Sequence, residues 1–238
     1  MRSQGSTAVL CRWLHLQLEK LPLIRCPFNI GQLPENGIYF FYEDGESCSH
    51  DVGLRIVRVG THKDGNFRSR IAEHFLINQN KMNFDAAKSA PHDRSIFRKN
   101  IGRALLNRDG DSYLRVWDID FLTAAARQKS GHLRNIGKER RVEAEVTEVL
   151  RRTFSFRWVV FEGQTQRMGS TGLESALIGT LAQCHVCGPS QGWLGNHSPV
   201  GRIRESGLWL FQHLSSEPMT VEQCEVLAKA VERTAQGA

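Results

Sequence analysis

The apolar positions of this chain fall into short runs with two different periods. Residues 37–42 (GIYFFY) and 54–60 (LRIVRVG) are rich in aromatic and β-branched types, which favours buried strands. The segment between them is polar and contains glycine, as turns do. The pattern therefore predicts a hairpin with a long loop. Residues 156–162 (FRWVVFE) predict a further strand, and residues 112–119 (SYLRVWDI) also have the composition of a strand.

Other stretches repeat their apolar residues at helical spacing. Phe67, Ile71, Phe75 and Leu76 recur so that they would face the core from a helix over residues 67–77. Further helices are predicted near the N-terminus and over residues 96–106, 120–128, 138–152, 172–183 and 220–234. Residues 78–95 are polar and irregular, which indicates an insertion or loop.

These elements predict an α+β fold, in which a small, mostly antiparallel mixed sheet is flanked by helices, with helical insertions and extensions. The main domain is expected to span residues 34–213, with an insertion at about 78–152. A helical extension is expected over residues 1–33, and a helical tail over residues 214–238.

Composition and charge restrict the class of protein. The chain has 238 residues, 40% hydrophobic and 24% charged, as in an ordinary globular protein. No apolar run approaches the roughly 20 residues that cross a bilayer, and Arg12 and His15 interrupt the N-terminal apolar stretch that might otherwise resemble a signal peptide. We therefore expect a cytoplasmic protein. The net charge of +6 permits a nucleic-acid partner but does not establish one.

The cysteines predict free thiols. Of the six, only Cys184 and Cys187 form a close pair, and a protein without a secretion signal normally keeps its thiols reduced. A structural zinc site remains an alternative, but it needs two more ligands. His185, His197 and His213 lie nearby in the sequence, and no second close pair follows.

Four motifs occur in a fixed order along the chain. GIY at residues 37–39 is followed by VRVG at 57–60, FRSRIAEHF at 67–75 and LESALI at 173–178. In this order they resemble the GIY-YIG nuclease superfamily, and in particular a restriction-enzyme-like subgroup with an RVGTH variant of the second motif. The resemblance extends from about residue 34 to about residue 213.

The resemblance implies a catalytic set of Tyr39, Arg70, His74 and Glu174, with Glu174 as the ligand of Mg²⁺ or Mn²⁺. Arg70 and His74 are four residues apart, so both are expected on one helix face. Arg58 stands where the family has the tyrosine of its second motif. The late asparagine of the family has no clear counterpart, and its nearest equivalents are Gln191, Gly192 and Asn196.

These residue types suit the hydrolysis of a phosphodiester, which needs an activated water and neutralisation of charge on the phosphate. Glu174 offers a hard oxygen ligand, and Arg70 offers forked donors to phosphate oxygens. Tyr39 can take a proton from water only if cations stabilise its phenolate, and we expect Arg70, His74 and the metal to supply that charge. His74 could instead relay a proton or bind phosphate.

Each of these residues also has an ordinary structural interpretation. A tyrosine in a strand is usually packing, an arginine on a helix is usually solvated, and a lone histidine usually lies on the surface. Thr171 and Glu174 have the spacing of a capping box, so Glu174 could simply cap its own helix. The order of the motifs favours the catalytic interpretation over these alternatives.

The sequence thus predicts a metal-dependent endonuclease that acts on DNA, and duplex DNA is the expected substrate. A homodimer is one assembly that this activity allows. Residues expected to contact nucleic acid are Arg58, His62, Lys63, Arg94, Arg98, Lys99 and Arg103. Trp193 and Trp209 are expected to pack in the core instead. The alternatives are a catalytically inactive nucleic-acid-binding module with the same fold, and a metal-stabilised interaction protein that uses Cys184 and Cys187.

Overall fold

The centre of the molecule is a four-stranded sheet in which every neighbouring pair is antiparallel. A computed structural model describes residues 4–76 and 85–237, and the side chains of residues 7–76 and 85–237. The strands are β1 (Ile24–Arg25), β2 (Gly37–Ser47), β3 (Leu54–Thr61) and β4 (Phe154–Val160). Their order in the sheet is β1-β4-β2-β3, so β2 is central and β3 is an edge strand.

Helices surround this sheet. In chain order they are α1 (Gln4–Leu18), α2 (Phe67–Phe75), α3 (Pro91–Arg94), α4 (Ile96–Arg108), α5 (Leu114–Trp117), α6 (Ala124–Ser130), α7 (Ile136–Thr153), α8 (Gln164–Arg167), α9 (Leu173–Ala182), α10 (Gly201–Ser206) and α11 (Val221–Gln236). Short 3₁₀ helices occur at Ile30–Gln32, Gly131–Leu133 and Leu194–His197. No helix of the described residues is long and apolar enough to cross a membrane.

Both faces of the sheet are covered by helices, and successive side chains of β2 point alternately to one face and the other. Ile38, Phe40 and Tyr42 point into a first core, which they share with α1, α9 and α11. Tyr39 and Phe41 point into a second core, which they share with α2, α4 and α7. This explains why the run GIYFFY is apolar throughout instead of alternating with polar residues.

The register of β2 against β3 determines which face carries Arg58. Tyr39 pairs with Gly60 and Phe41 with Arg58, so alternation places Arg58 on the same face as Tyr39 and Phe41. The guanidinium of Arg58 lies 4.9 Å from the centre of the Phe97 ring in the second core. A bulge follows, because Tyr42 pairs with Ile56 and leaves Val57 as an extra residue that also lies in the second core.

The predicted α+β fold is confirmed, and most elements lie where the pattern placed them. Residues 24–25, within the helical extension predicted over residues 1–33, form strand β1. Residues 112–119 were predicted as a strand and form α5 instead. Asp111 starts a turn by accepting a hydrogen bond from the backbone N–H of Tyr113, and Trp117 then packs so closely on α4 that a Cβ at Gly102 would overlap its ring. Local turn chemistry and this contact override the strand propensity. In the stretch predicted as irregular, residues 77–84 lie outside the described residues, and α3 occupies its end.

A buried ion pair joins α4 to α7 in the second core. Arg98 Nη2 lies 2.5 Å from Glu143 Oε2, and both side chains are completely buried. The backbone N–H of His92 donates to Glu143 Oε1 at 2.7 Å. Burial alone would raise the pKa of Glu143, but the charge of Arg98 and the hydrogen bond from His92 outweigh it and lower the pKa to about 2.

We expect Glu143→Ala to destabilise the protein by about 3–5 kcal/mol, because it leaves the Arg98 charge buried without a partner. The matched control is Glu148→Ala on the same helix, whose ion pair with Arg152 is mostly exposed. Its expected cost is within about 0.5 kcal/mol. Urea denaturation at neutral pH measures both values, and equal costs for the two variants would contradict this account of the α4–α7 contact.

Candidate active site

Tyr39 is fixed by the strand opposite it. It pairs with Gly60 of β3, and a Cβ at Gly60 would lie only 2.6 Å from Tyr39 Cε2, so the tyrosine ring occupies the space of the missing side chain. A Cβ at Gly37 would likewise lie 2.6 Å from the backbone oxygen of Val159 on β4. The ring of Tyr39 therefore requires glycine at position 60 of the second motif, and the close approach of β4 requires glycine at position 37 of the first motif.

The tyrosine hydroxyl meets a buried histidine of α2. Tyr39 Oη lies 3.0 Å from His74 Nε2, and His74 Nδ1 lies 2.8 Å from Ser95 Oγ. His74 has no exposed surface. Burial, and then the charges of Arg70, Arg58 and Arg98, hold the pKa of His74 well below its usual range. The imidazole is therefore neutral at physiological pH, and it orients the hydroxyl of Tyr39 instead of adding a positive charge.

Arg58 is a buried cation next to this pair. Its Nη1 donates to the backbone oxygen of Trp209 at 2.5 Å, and its Nε has no hydrogen-bond partner among the described residues. Burial lowers the pKa of Arg58, and the nearby oxygens of Tyr39 and Glu174 oppose that shift. Because arginine stays protonated even when buried, the site contains a fixed positive charge where the family has a tyrosine.

Arg70 lies one helical turn before His74 and is 16% exposed. Its Nη1 donates to the backbone oxygen of Arg94 at 2.8 Å and to Glu73 Oε2 at 3.3 Å. Its charge also lowers the pKa of both His74 and His62. Arg70 therefore borders the Tyr39–His74 pair, is held in place by its own helix and α3, and keeps a small part of its side chain exposed to solvent.

Glu174 reaches this group from the opposite layer of helices. Its helix α9 packs in the first core, whereas α2 packs in the second. The carboxylate nevertheless extends to the edge strand, where Oε1 accepts a hydrogen bond of 3.1 Å from the backbone N–H of Thr61. Burial raises the pKa of Glu174, and Thr61, Arg58 and Arg70 oppose the shift. Glu174 and the arginines thus belong to one electrostatic cluster at the end of β3.

The capping interpretation of Glu174 is wrong. Helix α9 begins at Leu173, its N-cap is Gly172, and no side chain caps it. Thr171 lies outside the helix, so the spacing required for a capping box is not met. The carboxylate of Glu174 is directed at the sheet and not at its own backbone.

The donor set fits a hard divalent cation held by one protein carboxylate. Glu174 uses Oε1 for Thr61, and it belongs to no cluster of three metal-binding side chains in the described part of the chain. Mg²⁺ usually keeps several waters and uses only one or two carboxylates together with phosphate oxygens. A single carboxylate near Arg58 and Arg70 therefore suits Mg²⁺ better than an ion that needs an all-protein cage.

Not all of the basic residues predicted to contact nucleic acid are available to do so. Arg98 is completely buried with Glu143, and Lys99 is buried with its Nζ on the backbone oxygen of Ile119. Both predictions are wrong for the same reason, since a cluster of basic residues in a helical sequence does not indicate which ones face the core. Arg103 is mostly buried and pairs with Asp118.

Arg58 was also predicted to contact nucleic acid, but its side chain is buried within the cluster. The other three basic residues, Arg94, Lys63 and His62, surround the cluster. Arg94 is 56% exposed and pairs with Glu73, the same carboxylate that contacts Arg70. Lys63 is exposed and His62 is partly buried, both directly after β3. Burial and the charge of Arg70 lower the pKa of His62, so it too is mainly neutral. These three residues and Arg70 form the accessible basic border of the site.

Sequence reasoning missed three residues that shape the site. Ser95 bonds His74, and Thr61 bonds Glu174. Arg167 is completely buried, donates to the backbone oxygen of Phe161 at 3.0 Å, pairs with Asp64 and also acts on Glu174. Thr61 is part of the RVGTH motif, but the motif did not show its contact with Glu174. Ser95 and Arg167 belong to no recognisable motif, because their roles arise from contacts between distant parts of the chain.

The two tryptophans pack as expected. Trp193 and Trp209 are buried, and both indole N–H groups donate to Glu43 Oε2, at 2.8 and 2.7 Å. The side-chain amide of Asn196 is used within its own loop, where it donates to the backbone oxygens of Ser190 and Gln191. Asn196, which follows farther on than Gln191 and Gly192, is therefore a structural residue of this loop.

Comparison with known proteins gives one match. The sequence matches the model of a family described as a GIY-YIG domain over residues 17–237. No curated protein and no solved structure matches the chain.

We expect Gly60→Ala to displace the ring of Tyr39, because the added methyl group needs the space that the ring occupies. The expected cost is about 1–3 kcal/mol of unfolding free energy, the usual range for overpacking. Gly131→Ala is the matched control, since a Cβ there meets nothing within 4 Å. Its stability is expected to equal or exceed that of the wild type. Equal effects of the two substitutions in thermal unfolding would contradict the packing described for Tyr39.

Proposed function

This chain belongs to the GIY-YIG domain family, and on that premise we propose that it is a metal-dependent endonuclease that hydrolyses phosphodiester bonds in duplex DNA. One observation carries the proposal: the hydroxyl of Tyr39, the guanidinium groups of Arg58 and Arg70, and the carboxylate of Glu174 form one cluster although they come from four separate elements. Hydrolysis of a phosphodiester bond needs a base for the attacking water, positive charge for the phosphate and a ligand for the metal, and these groups can supply all three.

Arg70 is the phosphate-binding residue in this proposal. It is the arginine of the cluster that combines solvent access with fixed hydrogen bonds to Arg94 and Glu73. Its unused guanidinium donors would bind the phosphate oxygens, where negative charge grows as the transition state forms. The bond to Glu73 at 3.3 Å is long for an ion pair, so an incoming phosphate can compete for that donor.

Tyr39 is the proposed general base. A Tyr39 phenolate would accept a proton from the water that attacks phosphorus, and the P–O ester bond would then break. His74 holds the hydroxyl oxygen in position through the 3.0 Å contact. The positive charge near the Tyr39 hydroxyl would come from Arg58 and Arg70, and not from His74, because burial keeps His74 neutral. In this way Arg58 can replace the tyrosine of the second motif by supplying charge instead of a second hydroxyl.

Glu174 is the proposed metal ligand. Nucleases of this family are generally metal-dependent, and a bound Mg²⁺ or Mn²⁺ would neutralise phosphate charge and assist the departing oxygen. Thr61 directs the carboxylate towards the cluster from the end of β3. Because burial favours the protonated form of Glu174, Arg58, Arg70 and Arg167 are needed to keep it ionised for a cation.

The DNA-binding surface is proposed to lie around Arg70, with Lys63, His62 and Arg94 on its border. Cutting both strands with one site per chain calls for a homodimer or for two sequential nicks. We propose restriction, defence or mobile-element biology as the setting. A cytoplasmic location is supported by the six cysteines, which are all free thiols.

A catalytically inactive nucleic-acid-binding module is the second candidate function. It is favoured by Arg58 in the place of a tyrosine and by the contact of Glu73 with both Arg70 and Arg94. Incubation with supercoiled plasmid, with Mg²⁺ or with a chelator, separates the two candidates. Nicked or linear product that requires Mg²⁺ supports the nuclease, whereas DNA binding without any product supports the inactive module.

We expect Arg70→Ala to reduce cleavage by about 10²–10³-fold, because it removes charge stabilisation that forms mainly in the transition state. The matched control is Arg68→Ala on the same helix, which removes a half-exposed guanidinium bonded to the backbone oxygen of Leu33. Arg68→Ala should cut at nearly the wild-type rate. Single-turnover cleavage under saturating protein measures both, and normal cutting by Arg70→Ala would exclude it as the phosphate-binding arginine.

We expect Glu174→Gln to abolish Mg²⁺-dependent cleavage with little change in the stability of the metal-free protein, because glutamine still accepts the hydrogen bond from Thr61. The metal-free unfolding free energy should change by less than about 1 kcal/mol. Stabilisation of the wild type by Mg²⁺ should disappear in the variant, since a ligand of the folded state stabilises it by mass action.

The control for this experiment is Glu162→Gln, an exposed carboxylate bonded to Asn36. It should keep both cleavage and the thermal shift with Mg²⁺. A Glu174→Gln variant that behaves like this control would remove Glu174 from the metal site.

A further inference from the structure

Four of the six cysteines converge on the first-core side of the sheet, away from the proposed nuclease site. Cys11 lies on α1, Cys48 follows β2, and Cys184 and Cys187 follow α9. All four are buried and all are free thiols. Three distant parts of the chain therefore bring their sulfur atoms to one place.

Cys187 links the members of this group, which we call the cysteine cluster. Cys48 Sγ lies 3.6 Å from Cys187 Sγ. The ligand atoms of Cys11, His50 and Cys187 lie within 4.8 Å of one another, and so do those of His15, Cys48 and Cys187. Zinc–sulfur bonds of about 2.3 Å in a tetrahedron separate two sulfurs by about 3.8 Å, close to the Cys48–Cys187 value.

Two histidines adjoin the cluster, and their hydrogen bonds distinguish their roles. His15 Nδ1 lies 2.8 Å from the backbone oxygen of Cys11, and His15 Nε2 accepts from the backbone N–H of Ile56 at 3.2 Å. Both ring nitrogens of His15 are thus occupied, so it supports the cluster without binding a metal. His50 Nε2 lies 3.3 Å from Cys184 Sγ, which suits an N–H donor to a thiolate.

We propose that Cys11, Cys48, Cys184 and Cys187 bind one structural Zn²⁺ through their thiolates, with His50 donating a hydrogen bond to Cys184. Cys184 and Cys187 supply the close pair that structural zinc sites commonly contain, and four sulfur ligands close the coordination sphere. The zinc would fasten α1 and the β2–β3 connection to the end of α9, the helix that carries Glu174. The sequence neighbours His185, His197 and His213 are not needed.

The test is the zinc content of the purified full-length protein after dialysis, measured by elemental mass spectrometry. We expect about one zinc per chain in the wild type and in His50→Ala, and less than about one-tenth of that in Cys187→Ser. Cys224→Ser is the matched control, because Cys224 lies on α11 and is only partly buried, outside the cysteine cluster. It should keep the full zinc content. Loss of zinc in His50→Ala would overturn the four-cysteine ligand set.

Reconstitution of the wild type covers the case in which Cys187→Ser does not fold. Removing metal with a chelator and adding Co²⁺ should produce the strong visible absorption of tetrahedral cobalt thiolate, and Zn²⁺ should abolish it. A wild-type protein that holds no zinc and gives no such spectrum would overturn the proposal. So would a disulfide between Cys48 and Cys187 in intact-mass measurements. Neither result depends on DNA cleavage, so this proposal and the nuclease proposal fail separately.

Discussion

The ring of Tyr39 lies over Gly60, where no side chain larger than hydrogen fits. This contact fixes the register of β2 against β3, and a one-residue slip would exchange the two faces of the central strand. The same register pairs Phe41 with Arg58 and so places Arg58 on the face that carries Tyr39. Close packing at Gly60 therefore fixes which side chains of β2 enter each core. It also fixes the face of the sheet on which Arg58 lies.

Electrostatics then determine what this arrangement can do. Burial keeps His74 neutral, and the arginines around it make protonation still less favourable. The permanent positive charge of the site resides on Arg58 and Arg70, which also oppose the protonation of Glu174. The protonation of the carboxylate thus depends on the two cations, and the loss of either arginine would favour the protonated form of Glu174.

The sequence was sufficient to predict the fold class and most elements, because the strands at 37–42 and 54–60 and the helices after them have clear periodic patterns. It also placed Tyr39, Arg70, His74 and Glu174 on the correct element types. It could not show that α2 and α9 lie on opposite faces of the sheet, since periodicity identifies an apolar face but not its partner. Arg98 illustrates the same limit, because a basic residue in a helix can face either solvent or a buried carboxylate such as Glu143.

The most direct test of this account is Tyr39→Phe, which removes one hydroxyl and leaves the ring that packs over Gly60. The account predicts that cleavage of supercoiled plasmid in Mg²⁺ falls by about 10²–10⁴-fold, the usual contribution of a general base. The thermal unfolding midpoint and the affinity for uncut DNA should stay close to those of the wild type. Cleavage by Tyr39→Phe at the wild-type rate would contradict the central claim that Tyr39, held by His74 and stabilised by Arg58 and Arg70, activates the attacking water.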